Sequence, residues 1–207
     1  MDRDRSSFLA HATLDYCSPL EPAFIEPFYD AIPPGDGVRV LDVGCGKSEV
    51  LLRLVERAVA AGRRASGAGV DAARVFVQES RDRAKARVPE VALEFTCVPI
   101  VRWPRPAEPF DVVAVVGATH AFGKPPDAIR EARKLLGPGG FLLVGEAFVR
   151  ADPDPAYLAA LGVRASDVLG PGELARLAAA GGFEVVKSGE VPREAFDRYE
   201  AAYAANI

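Results

Sequence analysis

Val38-Arg-Val-Leu-Asp-Val43 is an apolar run that stops at Gly44-Cys45-Gly46, and an amphipathic pattern starts at Ser48. That order predicts a strand, a tight glycine turn and a helix. It is the opening unit of an open α/β sheet, which binds ligands at the carboxyl ends of its strands. Glycines in such a turn take positive φ without a Cβ clash and let a ligand lie against the backbone. The first turn of the following helix offers free N–H groups and a positive dipole end, which favour a carboxylate or a phosphate.

The rest of the chain repeats this unit. A helix is predicted over 48–61, closed by Gly62. A strand over 65–70 ends at Asp71, and a helix over 72–87 is stopped by Val88-Pro89. A third strand is expected over 91–98. Residues 99–109 form a proline-rich connection with the only tryptophan, Trp103, read as a loop that packs its ring on the core. The continuous apolar run over 110–116 has the pattern of a parallel strand buried on both faces. It leads into Gly117-Ala-Thr-His120-Ala-Phe-Gly123.

A helix over 126–136, a Gly137-Pro-Gly-Gly140 turn and a fifth strand over 141–146 follow. Beyond a polar, proline-bearing loop we expect a helix over 171–180, a sixth strand over 183–189 and a last helix over 194–205. Strands joined by helical crossovers predict a doubly wound, mostly parallel sheet with helices on both faces. Ahead of the sheet, Phe8, Leu9 and Ala12 mark a short helix, and 22–32 a second one that starts near a proline. The reading is a single domain: an N-terminal helical cap (1–34), an α/β core (35–191) and a C-terminal helix (192–207).

Three ligand classes use a glycine turn of this kind. Gly46-Lys47-Ser48 looks like the tail of a P-loop, but that motif needs a glycine five positions before Gly46, where Leu41 stands. A dinucleotide fingerprint needs Gly or Ala where Glu49 stands, and a carboxylate there repels a pyrophosphate. The third class fits. Asp42-x-Gly44-x-Gly46 resembles motif I of the class I methyltransferases that use S-adenosylmethionine, with Ser48 in place of the third glycine. Leu135-Leu-Gly-Pro-Gly-Gly-Phe-Leu142 resembles the same family. Val116-Gly-Ala-Thr-His120, Gly145-Glu-Ala-Phe148 and Phe196-Asp-Arg-Tyr-Glu200 look like a group of poorly characterised bacterial methyltransferase-domain proteins. The resemblance spans about 14–203.

This resemblance implies a Rossmann-like fold, S-adenosylmethionine as cofactor and methyl transfer to a small molecule. Asp42, Gly44, Cys45 and Gly46 would form the cofactor turn, with Cys45 there because it is small. Asp71 would accept hydrogen bonds from the ribose hydroxyls; its other reading is a helix N-cap. Ala72, Cys97 and Val98 would border the base. The family often has an Asp after the third strand, but Phe95-Thr-Cys-Val-Pro-Ile100 has no acid.

Val116 and Gly117 would face the transferable methyl, and His120 is the candidate general base, having a side chain that titrates near neutrality. Glu146 is a candidate substrate-binding or base-assisting group, or an ordinary cap. Tyr16, Phe24, Phe28 and Tyr29 are candidates for a substrate wall, or simply dock the cap on the core. No role is assigned to His11. The family sheet usually adds an antiparallel seventh strand, and no run remains here to form it. We therefore expect the outer edge of the fifth strand to be paired by the sixth strand directly or by another subunit in a homodimer.

Composition excludes more than it names. A chain of 207 residues can build a substantial core. Net charge is only -4 with no basic block, which gives little electrostatic support to a nucleic-acid partner. Three unevenly spaced cysteines indicate neither a zinc site nor a disulfide framework. No long apolar stretch follows the charged N-terminus, so the reading is a cytoplasmic protein without membrane contact. Two alternatives to an active methyltransferase stand: a methyltransferase-like binding protein without activity, and an NAD-linked oxidoreductase.

Overall fold

Two mainly apolar strands form the heart of the sheet, one central and the other beside it. In the computed structural model, which describes residues 3–33, 35–151, 154–161, 164 and 167–206, β1 (Gly37–Val43) and β4 (Phe110–Val116) pair in parallel. Val40, Leu41, Val43, Val112 and Val113 are wholly buried, as strands covered on both faces require. β2 (Arg64–Asp71) and β3 (Ala92–Cys97) extend the sheet on one side and β5 (Leu136–Gly145) on the other, giving the order β3-β2-β1-β4-β5 with every pair parallel. The strand order reverses between β1 and β4, which opens a crevice at their carboxyl ends.

Helices cover both faces. α3 (Glu49–Ala60) presents Leu51, Leu54, Val55 and Ala58 at helical spacing, and α4 (Arg74–Arg87) adds Val77 and Ala84. This apolar stripe packs with Val40, Val112 and Ala114. On the opposite face α5 (Pro125–Arg133) sets Ala128 and Ala132 against Leu41, Val43, Val113 and Val115. Trp103 joins that second cluster and lies 6.3 Å from the Phe110 ring, so it docks its loop as expected.

The cap consists of α1 (Arg3–Ala10), held to α4 by a Phe8–Phe76 edge contact at 5.4 Å, and α2 (Pro22–Asp30), which inserts Ile25 and Tyr29 into the first cluster. Among the described residues no helix is long and apolar enough to cross a membrane.

The C-terminal third departs from expectation. The sixth strand does not form: residues 183–189 have no regular secondary structure and make no ladder, and Val185 and Val186 are 41% and 60% exposed. A strand needs a backbone partner, whereas this segment follows side chains. The Phe183 N–H closes α7 (Glu173–Ala180) on Ala178 O, the Phe183 ring lies under the Arg133 guanidinium, and Gly189 meets Phe24 and Phe28. Among the described residues β5 pairs only with β4, so the sixth strand does not cover its outer edge.

The loop after β5 contains an unanticipated helix, α6 (Pro155–Leu161). Its start was signalled: Asp154 accepts the Ala156 N–H at 2.7 Å and Pro155 takes the first helical position. The chain ends in α8 (Arg193–Ala205).

Candidate functional site

The turn after β1 is tightly packed. Gly44 and Gly46 have φ of 63° and 50°, and Ser48 follows at 57°, the only non-glycine residue with positive φ among those described. A Cβ on Gly44 would lie 2.4 Å from the Ala118 Cβ, and one on Gly46 would lie 3.0 Å from Cys17 Sγ. Left-handed backbone costs a serine about 1–2 kcal/mol that a glycine avoids. Hydroxyls offset part of it: Ser48 Oγ–H donates to Ser80 Oγ, and Ser80 Oγ–H donates to Gly46 O, both at 2.8 Å and both side chains wholly buried. Asp42, at the end of β1, is buried, which raises its pKa well above the carboxylate range. Burial does the same to the Cys45 thiol and pushes Cys17 up to about 11, so neither is a thiolate at neutral pH.

Asp71 stands beside this turn. Its Oδ2 accepts the Gly46 N–H at 2.9 Å and its Oδ1 accepts the Ala73 N–H at 2.8 Å. The second bond is the cap-like contact of the alternative reading; the first ties the carboxylate to the glycine turn. The in-register pairing of Asp71 with Cys97 continues the rim to β3, where the Val98 N–H donates to Asp71 O and Cys97 Sγ lies 3.5 Å from Ala72 O. Ala72, Cys97 and Gly117 are exposed along this rim, while Val98 and Val116 are half-buried. Gly117 has φ of 66°, and a Cβ there would lie 2.7 Å from Ser18 Oγ.

The tips of β4 and β5 carry the other candidates. His120 is exposed on a short 3₁₀ turn (Thr119–Phe122), and its imidazole makes no hydrogen bond or ion pair among the described residues. Glu146 is half-buried just past β5. Its Oε2 accepts the hydroxyl of buried Thr119, and its Oε1 accepts the Ala147 N–H at 2.9 Å. Thr119 thus joins the His120 turn to Glu146.

Residues 40–140 match the family model described as methyltransferase domain. An uncharacterized protein, YjhP, of Escherichia coli is 32% identical over 80% of this chain and 65% of its own. The 27-O-demethylrifamycin SV methyltransferase of Amycolatopsis mediterranei is 30% identical over 66% of this chain and 48% of its own. A solved S-adenosylmethionine-dependent methyltransferase of Thiobacillus denitrificans, in complex with S-adenosyl-L-homocysteine, superposes with a TM-score of 0.82 at 28% identity, covering 100% of this chain and 82% of that one. In sequence and fold the chain is similar to the class I S-adenosylmethionine-dependent methyltransferases. It spans less than two-thirds of the length of the two curated relatives.

Within this methyltransferase fold the structure brings Asp42, Gly44, Cys45, Gly46, Asp71, Ala72, Cys97, Val98, Val116, Gly117, His120 and Glu146 to one rim, at or just beyond the carboxyl ends of the strands. Of the aromatic candidates, Tyr16 lines a cavity against the turn. Tyr29 is buried 3.4 Å from the Tyr16 hydroxyl, and Phe24 and Phe28 stack on each other at 5.3 Å beside Gly189.

Sequence reasoning missed two polar devices. Buried Lys47 donates to the carbonyls of His11, Ala12 and Leu14 at 2.5, 3.3 and 2.7 Å, pinning the cap to the turn. Glu49, also buried, accepts from Arg53, Arg83 and Arg87 at 2.7, 3.2 and 2.5 Å, which joins α3 to α4. Burial works to raise its pKa, but the hydrogen bonds and charges of Arg87 and Arg53 outweigh that and leave it below the ordinary value. The misfit of Glu49 with a pyrophosphate was the visible trace of this network.

Proposed function

We propose that this chain transfers a methyl group from S-adenosylmethionine to a small-molecule acceptor by in-line displacement. The observation that carries the reading is the Asp71 carboxylate 2.9 Å from the Gly46 N–H, with the exposed backbone of Gly117 on the same rim. The residues fit the cofactor: side-chain-free positions at Gly44, Gly46 and Gly117 leave backbone for close approach, and a carboxylate suits two sugar hydroxyls. When bound, the cofactor supplies an electrophilic methyl carbon whose leaving group is a neutral thioether.

The chain's own task is then to hold and orient. Gly44, Cys45 and Gly46 receive the amino-acid end, with Asp42 beneath the turn. Asp71 grips the sugar, and Ala72, Cys97 and Val98 border the base. Val116 and Gly117 border the reacting carbon. Orientation of this kind can supply on the order of 7–11 kcal/mol of barrier reduction. His120 takes the proton of a hydroxyl or amine acceptor, and Glu146, fixed by Thr119, binds a polar part of that acceptor. The rifamycin relative is named for a small-molecule acceptor, which supports that class here. We read the chain as one cytoplasmic methyltransferase domain with no nucleic-acid partner, and as a homodimer in which a second copy pairs along the open outer edge of β5.

A second reading, a methyltransferase-like binding protein without activity, is favoured by one observation: among the described residues no group orients the exposed His120 imidazole. Calorimetry against S-adenosylmethionine, S-adenosylhomocysteine, NAD and ATP, followed by a metabolite screen for methyl acceptors, separates the readings. The first two ligands alone should bind, and an acceptor should turn over. Binding of NAD instead would overturn the assignment, and binding without any acceptor would favour the second reading.

A further inference from the structure

We propose that the C-terminal helix α8 is a latch that holds the N-terminal cap down on the glycine turn, so that cofactor entry requires the cap and α8 to part. The proposal rests on the reading of that turn as the seat of the cofactor's amino-acid end.

The segment after α1 lies directly on the turn. Asp15, Tyr16, Cys17 and Ser18 face Asp42, Gly44 and Cys45 across a cavity of only about 30 Å³. A water molecule's share of the liquid is about that volume, and ligand sites run to about 300–1,000 Å³. An amino-acid group gains room beside the Gly44–Gly46 backbone if this segment lifts.

Two sets of bonds keep it down. From below, Lys47 holds the carbonyls of His11, Ala12 and Leu14. From outside, α8 brackets the same residues. Asn206 Nδ2 donates to Ala10 O and Thr13 Oγ1, both at 3.0 Å, and Arg198 grips both oxygens of Glu21 at 2.7 and 2.8 Å. Between them, the Tyr199 hydroxyl meets His11 Nε2 at 2.9 Å, and Tyr203 presents its ring edge-on to the imidazole at 5.1 Å.

The proton positions follow from the partners. His11 Nδ1 lies 2.7 Å from Ser7 O, a carbonyl that can only accept, so Nδ1 carries the hydrogen. In the neutral ring Nε2 is then the acceptor, and Tyr199 donates to it. His11 is the common member of both sets: its carbonyl takes Lys47 and its ring takes Tyr199. Loosening α8 therefore loosens the peptide that Lys47 holds. The latch is attached by a few polar bonds and by the half-buried Tyr199, Ala202 and Tyr203, with Ala195 its one fully buried apolar residue among those described, which places it among the segments that open before the core does.

The test uses Tyr199→Phe, Asn206→Ala and the double variant of the full chain. Amide hydrogen exchange is read without ligand, and S-adenosylhomocysteine association and dissociation are read by surface plasmon resonance. Exchange at residues 11–18 should accelerate in the variants while β1 and β4 stay protected, and the association rate should rise about fivefold for each variant. Unchanged exchange at residues 11–18, or an unchanged association rate, overturns the latch. Failure of the unaltered chain to bind S-adenosylhomocysteine overturns the cofactor reading instead, and the exchange measurement still decides whether α8 holds the cap.

Discussion

Glu49 shows how a side chain that no glycine-loop motif accounts for is explained by charge. A carboxylate in the first turn after a glycine loop is a poor neighbour for a phosphate. Three arginines from α3 and α4 give it a structural occupation instead. Because its pKa is lowered in the folded state, its stabilising contribution is complete above its unfolded value and is lost as pH falls through the folded one. Glu49→Gln should therefore cost about 1.5–3 kcal/mol at pH 7 in denaturant unfolding, and the gap to the unaltered chain should close below about pH 4. A gap of equal size at both pH values would refute this account.

The left-handed backbone of Gly44 and Gly46 and the place of Asp71 at the end of β2 were legible, because residue type and strand end record them. The Ser48–Ser80 pair and the Lys47 clamp were not, because each joins groups more than 30 residues apart or fills carbonyls that no sequence pattern marks.

At the scale of elements, the sheet was readable where burial on both faces forces continuous apolar sequence. β1 and β4 are of that kind, and their predicted spans differ from the observed ones by a residue or less. Residues 183–189 carry only Phe183, Val185 and Val186 as apolar residues and form no strand, since a sequence pattern reports side-chain environment and says nothing of a backbone partner. α6 was overlooked because its prolines suggested a loop, although proline belongs in the first turn of a helix.

β5 carries the consequence of the failed sixth strand. Its outer backbone groups face away from β4 without a ladder partner among the described residues, and open edges of apolar strands invite pairing. If a second copy pairs there, light scattering should report a dimer. A lysine introduced by Leu143→Lys, two residues before the end of β5, should shift the chain to monomer while circular dichroism reports an unchanged fold. A monomeric unaltered chain at all concentrations would exclude the homodimer.

For the molecule as a whole, the sheet order puts β1, β2, β4 and β5 tips on one rim, and the cap and α8 close over part of it. The turn we propose as the ligand's anchor is also the floor on which the cap rests, so the proposal links binding to cap position. The claim on which the rest depends is that Asp71 holds the sugar of S-adenosylmethionine beside Gly44 and Gly46. Titration calorimetry with S-adenosylhomocysteine on the unaltered chain, Asp71→Asn and Asp71→Ala tests it most directly. Loss of charged hydrogen bonds to the sugar should weaken binding by about 10- to 100-fold in Asp71→Ala, with the shape-preserving Asp71→Asn in between. Equal affinity in all three proteins would contradict the account.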